Sequence, residues 1–396
     1  MPEAKPPPVS RYLDGAIRTD ALAAGRMAFI SGARQVGKTT MARGMLESPG
    51  NEFSWDDQRF RMRWVRDPIG AVSERGPGPV LLDEIHKDRR WKRRLKGLWD
   101  LRGAELPIVV TGSARLDVFR RSGESLLGRF LPYRLHGFTV GERRDPPAPG
   151  EVLQDRQPAY PFEAVLRLGG FPEPLLGGSE AKAVRWSRLR TKRLVQEDLR
   201  DLRHVHDLQA LRVLADLLPE RVGGLLSINS LREEVGVAYA TVRDWVLVLE
   251  ALYHILLLRP WAGRIARSLR AEPKLYLFDY VPVTNPGARL ENATALHLLK
   301  ACQYWTDVAL GEFGLHFVRT KEKDEVDFLV VRDRRPWMLV ECKSGEVEPA
   351  PALRKFASRL GTTHNIQLVD RRGFDREYPE HRVRVMDYER FLAGLV

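Results

Sequence analysis

Gly32-Ala33-Arg34-Gln35-Val36-Gly37-Lys38-Thr39 follows the apolar pair Phe29-Ile30 and precedes a segment able to form a helix. That order of residue types is what phosphate binding needs. Gly32 and Gly37 let the backbone curl until successive N–H groups face an anion. Lys38 sets a positive charge against the β- and γ-phosphates, and Thr39 offers a hydroxyl to Mg2+. The helix starting near Lys38 turns its first amides toward the same anion. Ala33, Arg34, Gln35, Val36 and Thr40 complete the loop expected to bind ATP. A chance match in a glycine-rich turn is the competing reading. Against it, Val80-Leu81-Leu82 runs into Asp83-Glu84, an apolar strand ending in two carboxylates, which is a Walker B pattern. Asp83 is expected to hold Mg2+ through water, and Glu84 to polarise the attacking water. A solvated loop acid is the alternative for Glu84.

The elements that must position these groups follow from apolar runs and breakers. Residues 11–28 read as a short helix leading into a strand over 27–31, and 39–46 as a helix stopped by Pro49 and Gly50. Strands are expected at 51–55, 80–84 and 106–110, with a helix over 91–101. An adjacent second acid and an intervening strand favour ATPases with an added central strand. Thr111-Gly112-Ser113 ends the third of these strands, so Ser113 can sense the γ-phosphate or cap the next helix. Arg129, in Ser125-Leu126-Leu127-Gly128-Arg129, is a candidate arginine finger or intersubunit contact, with a structural arginine as the alternative. The basic run from Lys87 to Lys96 is a solvated helix face or a nucleic-acid contact.

The chain has 396 residues, 43% of them hydrophobic, enough for two or three cores. A formal charge of +12 and a pI near 9.8 favour an acidic partner such as DNA. Two cysteines without metal-ligand spacing exclude a disulfide scaffold and a zinc site. No apolar run approaches a membrane span, and the proline-rich opening is not a signal peptide, so a cytoplasmic protein with no membrane partner is expected.

Gly141 to Tyr160 reads as a linker. Helical segments follow at 162–168, 186–203 and 208–218. Ser227 to Val237, a turn at Gly236, and Thr241 to Val246 read as two short helices, with 249–258 starting a hairpin. That is a winged helix-turn-helix pattern. Its second helix offers Tyr239, Thr241 and Arg243 to a major groove, or else packs against protein.

Near the C-terminus, Glu325 to Val330 and Trp337 to Lys343 read as two arms of a hairpin. Side chains two apart share a strand face, so Glu341 and Lys343 point together and Cys342 away as a small core residue. Asp327 on the other arm and Glu291 from a helix over 287–300 can join them. Such a cluster resembles the core of PD-(D/E)xK nucleases, in which the acids bind Mg2+ and the lysine, here Lys343, serves the attacking water. A salt-bridged remnant is the alternative.

Taken together, Gly32 to Thr39, Trp55-Asp56-Asp57, Asp83-Glu84-Ile85-His86, Thr111-Gly112-Ser113 and Ser125 to Arg129 resemble the prokaryotic AAA-superfamily ATPases that carry a C-terminal DUF4143 domain. Glu197 to Leu202 and Pro273-Lys274-Leu275-Tyr276-Leu277-Phe278-Asp279 also match that family. His86 stands where glutamine is more usual, and Tyr280-Val281-Pro282 departs from the family's turn. The resemblance implies an α/β chain: an AAA/ASCE-type P-loop NTPase domain over 1–140 and a linker and helical connector over 141–205. A winged helix-turn-helix over 206–270 and a restriction-endonuclease-like α/β domain over 271–396 complete it. It implies ATP and Mg2+ as cofactors, ATP hydrolysis coupled to change on DNA or an unknown protein partner, and leaves a homo-oligomer open. An ATP-regulated nuclease and a non-catalytic regulatory module are the alternatives.

Overall fold

A computed structural model describes residues 10–103, 105–112, 126–198, 207–261 and 272–396. They fall into two compact units, Met1–His136 with Arg143–Pro146, and Gly137–Glu142 with Pro147–Val396.

In the first unit, short runs of Val, Ile, Leu and Phe are buried on both faces, the pattern of a covered parallel sheet. The strands are β1 (Met27–Gly32), β2 (Glu52–Ser54), β3 (Val80–Asp83), β4 (Ile108–Thr111) and β5 (Phe130–Leu135). They are all parallel, in the order β2-β3-β4-β1-β5. β4 therefore lies between the strand that enters the phosphate loop and the strand that ends in Asp83. Helix α1 (Lys38–Arg43) leaves the loop, and α2 (Trp91–Arg102) covers the sheet with Trp91, Leu95 and Leu98. These side chains pack with Phe29, Trp64, Leu82 and Val110 in one core. Ser113 and Ser125 lie outside the described residues.

The second unit holds helices α3 (Glu180–Arg193), α4 (Leu208–Leu217), α5 (Ile228–Val235) and α6 (Tyr239–Ala251). Ser227 caps α5 by accepting from Ser230 N, and the turn to α6 passes through Gly236. Helix α6 runs on to Ala251, absorbing the first residues expected in a hairpin. β6 (Ile255–Leu258) then pairs antiparallel with β7 (Lys274–Leu277), so this ladder crosses the boundary expected at residue 270. Helix α7 (Pro286–Asp307) is tied to β7 by Asn292, whose amide bonds Leu277 N and Leu277 O, each at 2.8 Å.

A mixed sheet follows: β8 (Phe313–Arg319), β9 (Glu325–Arg332), β10 (Arg335–Lys343), β11 (His364–Val369), β12 (Asp375–Tyr378) and β13 (Val383–Asp387). Its order is β12-β13-β11-β10-β9-β8. β8, β9 and β10 are antiparallel neighbours, and β10, β11 and β13 are parallel. Helix α8 (Pro351–Leu360) links β10 to β11 and buries Leu353 and Phe356 against Val326, Leu339 and Val385. The expected linker is partly ordered. Within it Glu142 forms a fully buried ion pair with Lys300, and just before it Thr139 Oγ1 donates to Val396 O at 2.8 Å. Among the described residues no helix is long and apolar enough to cross a membrane.

Candidate functional site

Parallel strands deliver the polar residues of the first unit to one edge of the sheet. β1 ends at Gly32, where an added Cβ would sit 2.2 Å from Leu135 O; only glycine lets the loop start this close to β5. Gln35 takes the left-handed region, φ 66°, as the loop curls toward Lys38. Ala33 and Val36 are buried, Arg34, Gln35 and Thr40 exposed. Lys38 Nζ donates to Gly32 O at 3.1 Å and Ala33 O at 2.8 Å, holding its ammonium over the loop. Behind the loop, buried Arg11 donates to Val36 O at 3.2 Å and to His136 O at 2.6 Å. Sequence reasoning missed Arg11. It lies far from any motif, and its role follows only from the fold.

The two motifs meet. Thr39 Oγ1 donates to Asp83 Oδ1 at 3.1 Å, and Thr111 Oγ1, at the end of β4, donates to the same oxygen. Burial pushes the Asp83 carboxyl up, Thr111 holds it partly down, Glu84 pushes it up and Thr39 lowers it. A hydroxyl and a carboxylate beside a loop that carries the Lys38 ammonium form the donor set that suits Mg2+ with ATP. Glu84 adopts φ 55°, its N–H held by Thr111 O at 3.0 Å. Left-handed backbone at a non-glycine residue is strained and marks a constrained position. Its Oε2 lies 3.6 Å from Lys87 Nζ and 3.7 Å from His86 Nε2. Lys87 also bonds Asp56 at 2.8 Å, so the end of β2 joins the same network.

Arg129 belongs elsewhere. Its carbonyl accepts from Met27 N at the start of β1, the end of the sheet opposite the loop. Five strand steps separate those ends, about 17 Å. Its guanidinium bonds Asp100 at 2.8 Å and lies over the Trp99 ring. Strand direction therefore sets Arg129 away from the phosphate loop of its own chain.

The C-terminal carboxylates also converge, around a residue that the sequence did not single out for this task. Lys274 Nζ, on β7, lies 3.0 Å from Glu291 Oε1, 2.7 Å from Glu325 Oε1 and 2.9 Å from Asp327 Oδ1. Only 3% of its side chain is exposed. Burial alone would lower the lysine's pKa, but Asp327, Glu291 and Glu325 raise it overall. Tyr276 OH donates to Glu291 Oε1 at 2.6 Å. Asp327 N–H donates to Glu341 Oε2 at 3.3 Å, Cys342 N–H donates to Asp327 Oδ2 at 3.0 Å, and Lys343 Nζ pairs with Glu341 Oε1 at 2.8 Å.

Glu291, Asp327, Glu341 and Lys343 thus share one place, but the expected metal set is corrected. An ammonium stands among the acids where a divalent ion was expected. Among the described residues no three of His, Cys, Asp and Glu are arranged to hold a metal. The loop at Gly223 closes over Glu291, near enough that a Cβ there would lie 3.0 Å from Oε2. Glu291 and Glu341 are both pushed up, to about 7, by burial first and then by the charge of Asp327.

On the helix pair α5 and α6, Tyr239 and Arg243 are exposed and Thr241 half-buried. Arg243 bonds Asp244 at 3.0 Å, Arg232 lies 3.5 Å from Glu233, and Arg221 pairs with Glu234.

Comparison with known families divides the chain in three. Residues 24–143 match the family described as AAA domain, 161–281 match domain of unknown function DUF8612, and 286–389 match domain of unknown function DUF4143. No curated protein matches. Among solved structures, the RuvB Holliday junction branch migration motor of Thermotoga maritima is similar at 15% identity, with a TM-score of 0.30. That match covers 62% of this chain and 88% of the RuvB chain. The chain carries an AAA-type P-loop domain, a stretch matching DUF8612, and a DUF4143 domain.

Proposed function

We propose that the protein is a Mg2+-dependent ATPase whose turnover drives a conformational change on a bound partner. The observation that carries this reading is the bond from Thr39 to Asp83 at the end of parallel strands, with Glu84 next in the chain. Lys38 and the loop amides hold the phosphates, while Thr39 and Asp83 hold the ion. Bound there, Mg2+ neutralises phosphate charge. Glu84 orients water and takes its proton, and Thr111 keeps Asp83 aligned. Lys38→Ala should sharply weaken ATP binding. Glu84→Gln should preserve binding and cost roughly two orders of magnitude in turnover. Equal hydrolysis by wild type and Glu84→Gln would remove the glutamate from this role.

The partner proposed is nucleic acid, supported by the formal charge of +12. Phosphate-dominated binding must weaken steeply with salt. Anisotropy of labelled DNA titrated with NaCl measures that slope, and binding insensitive to salt would reject the proposal. The Lys274 cluster is proposed as a closed, ammonium-neutralised remnant of a nuclease-like site. Cleavage of DNA that depends on Mg2+ or Mn2+ and is lost in Asp327→Ala would reject that.

A further inference from the structure

Two neighbouring segments of the first unit are rich in cations and use their one acid between themselves. The helix Gln58–Arg66 holds Arg59, Arg61, Arg63 and Arg66 and no carboxylate. Residues 87–99 carry Asp88 as their single acid amid lysines and arginines. Asp88 is buried, accepts from Trp64 Nε1 at 3.2 Å and from Arg90 N at 2.9 Å, and pairs with Arg94 at 2.5 Å. Arg94 also donates to Val65 O at 3.4 Å. These bonds fasten the helix Gln58–Arg66 to the start of α2, so their outer faces adjoin.

The remaining cations are left for solvent. Arg59, Arg66, Arg89, Arg90 and Arg93 are exposed and Lys96 is half-buried. Among the described residues no carboxylate pairs with any of these six side chains, whereas Arg63 has Glu74 and Lys87 has Asp56. Arg93 and Lys96 are three apart on α2, as Arg63 and Arg66 are on the other helix, a spacing at which like charges repel. Arg90 is the N-cap of α2 and its first turn holds no acid, so the helix dipole adds to the repulsion. The isolated fold gains nothing from this arrangement; a polyanion spanning both segments relieves it.

The face is also open to close approach. Gly97 lies exposed in the interior of α2, next to Lys96 and one turn after Arg93. A Cβ there would meet no described atom within 4 Å, so packing does not require the glycine, which weakens a helix. Aromatic rings are not presented: Phe60, Trp64 and Trp91 are buried, and Trp55 and Trp99 lie under Arg61 and Arg129. A single strand is gripped by stacking its bases on exposed rings, whereas a duplex offers a dense row of phosphates to cations alone.

We propose that this face, built from the helix Gln58–Arg66 and the start of α2, docks the phosphate backbone of duplex DNA. Phosphate contacts carry no sequence information, so binding there is independent of sequence. The inference rests on the nucleic-acid partner proposed above and assigns the contact to the unit that carries the phosphate loop.

The test titrates the full chain by anisotropy against a labelled duplex, and against one of its strands alone, at several NaCl concentrations. The triple variant Arg66→Gln, Arg90→Gln, Arg93→Gln should weaken duplex binding by about tenfold or more at low salt and flatten the slope of log affinity against log salt by roughly 3. The matched triple Arg185→Gln, Arg188→Gln, Lys192→Gln removes the same charge from exposed positions of α3 and should change affinity by less than about threefold. Gly97→Glu should weaken binding severalfold while melting at or above the wild-type temperature. All these positions are exposed, and unchanged melting and ATP binding confirm the fold of both triples. Undiminished duplex binding by the first triple, or an equal loss in the α3 triple, would overturn this face and leave a nucleic-acid partner standing. No salt-dependent duplex binding by wild type would remove both. Tighter binding of the single strand, or binding of phosphatidylserine vesicles in place of duplex, would overturn it as well.

Discussion

Replacing Lys274 by Met removes the one ammonium that touches Glu291, Glu325 and Asp327 while keeping the volume of the side chain. Breaking a buried ion pair by deleting one partner costs about 3–5 kcal/mol, because the remaining charge is stranded. Glu291 and Asp327 lose their ammonium here, while Glu325 keeps Arg319 at 2.6 Å, so a loss within that range is expected at pH 8. Wild type already has a pH dependence to build on. Glu291 and Glu341 titrate near 7 in the fold against 4.5 as free side chains. Between those values the native state binds more protons than the unfolded chain, so stability falls as pH rises through that window. One such group amounts to about 3 kcal/mol across the window. Lys274 lowers the Glu291 value, so its loss must move that titration further up and steepen the fall. Urea denaturation of wild type and Lys274→Met at pH 5 and pH 8 measures this directly. The variant should lose far less at pH 5, where protonation takes over the work of the ammonium. Millimolar MgCl2 should recover part of the loss at pH 8 if a divalent ion can occupy the vacated position, by about 2.7 kcal/mol at a hundred times its dissociation constant. A loss below about 1 kcal/mol, equal at both pH values, would refute the electrostatic account of the cluster.

Further outcomes follow from other contacts. Lys300→Ala should cost about 3–5 kcal/mol by removing the ammonium that faces the buried Glu142 carboxylate, and Lys300→Met with Glu142→Leu should recover part of it; a double variant no better than the single would refute this in chemical denaturation. Gly32→Ala should destabilise the first unit by about 2–3 kcal/mol and abolish ATP binding, because the new methyl meets Leu135 O; wild-type melting with intact nucleotide titration would contradict the geometry. Lys87→Ala should raise kcat by about two- to fivefold, since it frees Glu84 Oε2 from a cation 3.6 Å away to meet the attacking water; an unchanged or lower kcat in a steady-state assay would show that Lys87 positions Glu84 instead.

The phosphate loop and Asp83-Glu84 were legible because each is contiguous and the chemistry dictates its spacing. The meeting of Glu341, Lys343 and Asp327 was legible too, since strand alternation and a hairpin are local rules. The central role of Lys274 was not. It depends on β7 lying beside the carboxylates of β9, 51 and 53 residues later for Glu325 and Asp327, a pairing no local pattern announces. Arg11 escaped for the same reason, since its acceptor His136 O is 125 residues away. The place of Arg129 was not legible because its motif carries no information on strand direction; parallel pairing of β5 with β1 puts it at the end of the sheet away from its own phosphate loop.

The bond from Thr139 to Val396 spans 257 positions. During synthesis the ribosome releases Gly137–Glu142 well before Val396, so Phe138 can already bond Gly170 and Val140 bond Ala159 while the Thr139 contact still waits for its acceptor. Long-range closure of this kind slows folding and prolongs the exposure of apolar surface. The nascent chain therefore passes through a stage at which the first unit has all its strands and the second lacks its last contact, and truncations near Val396 should be felt in yield before they are felt in nucleotide binding.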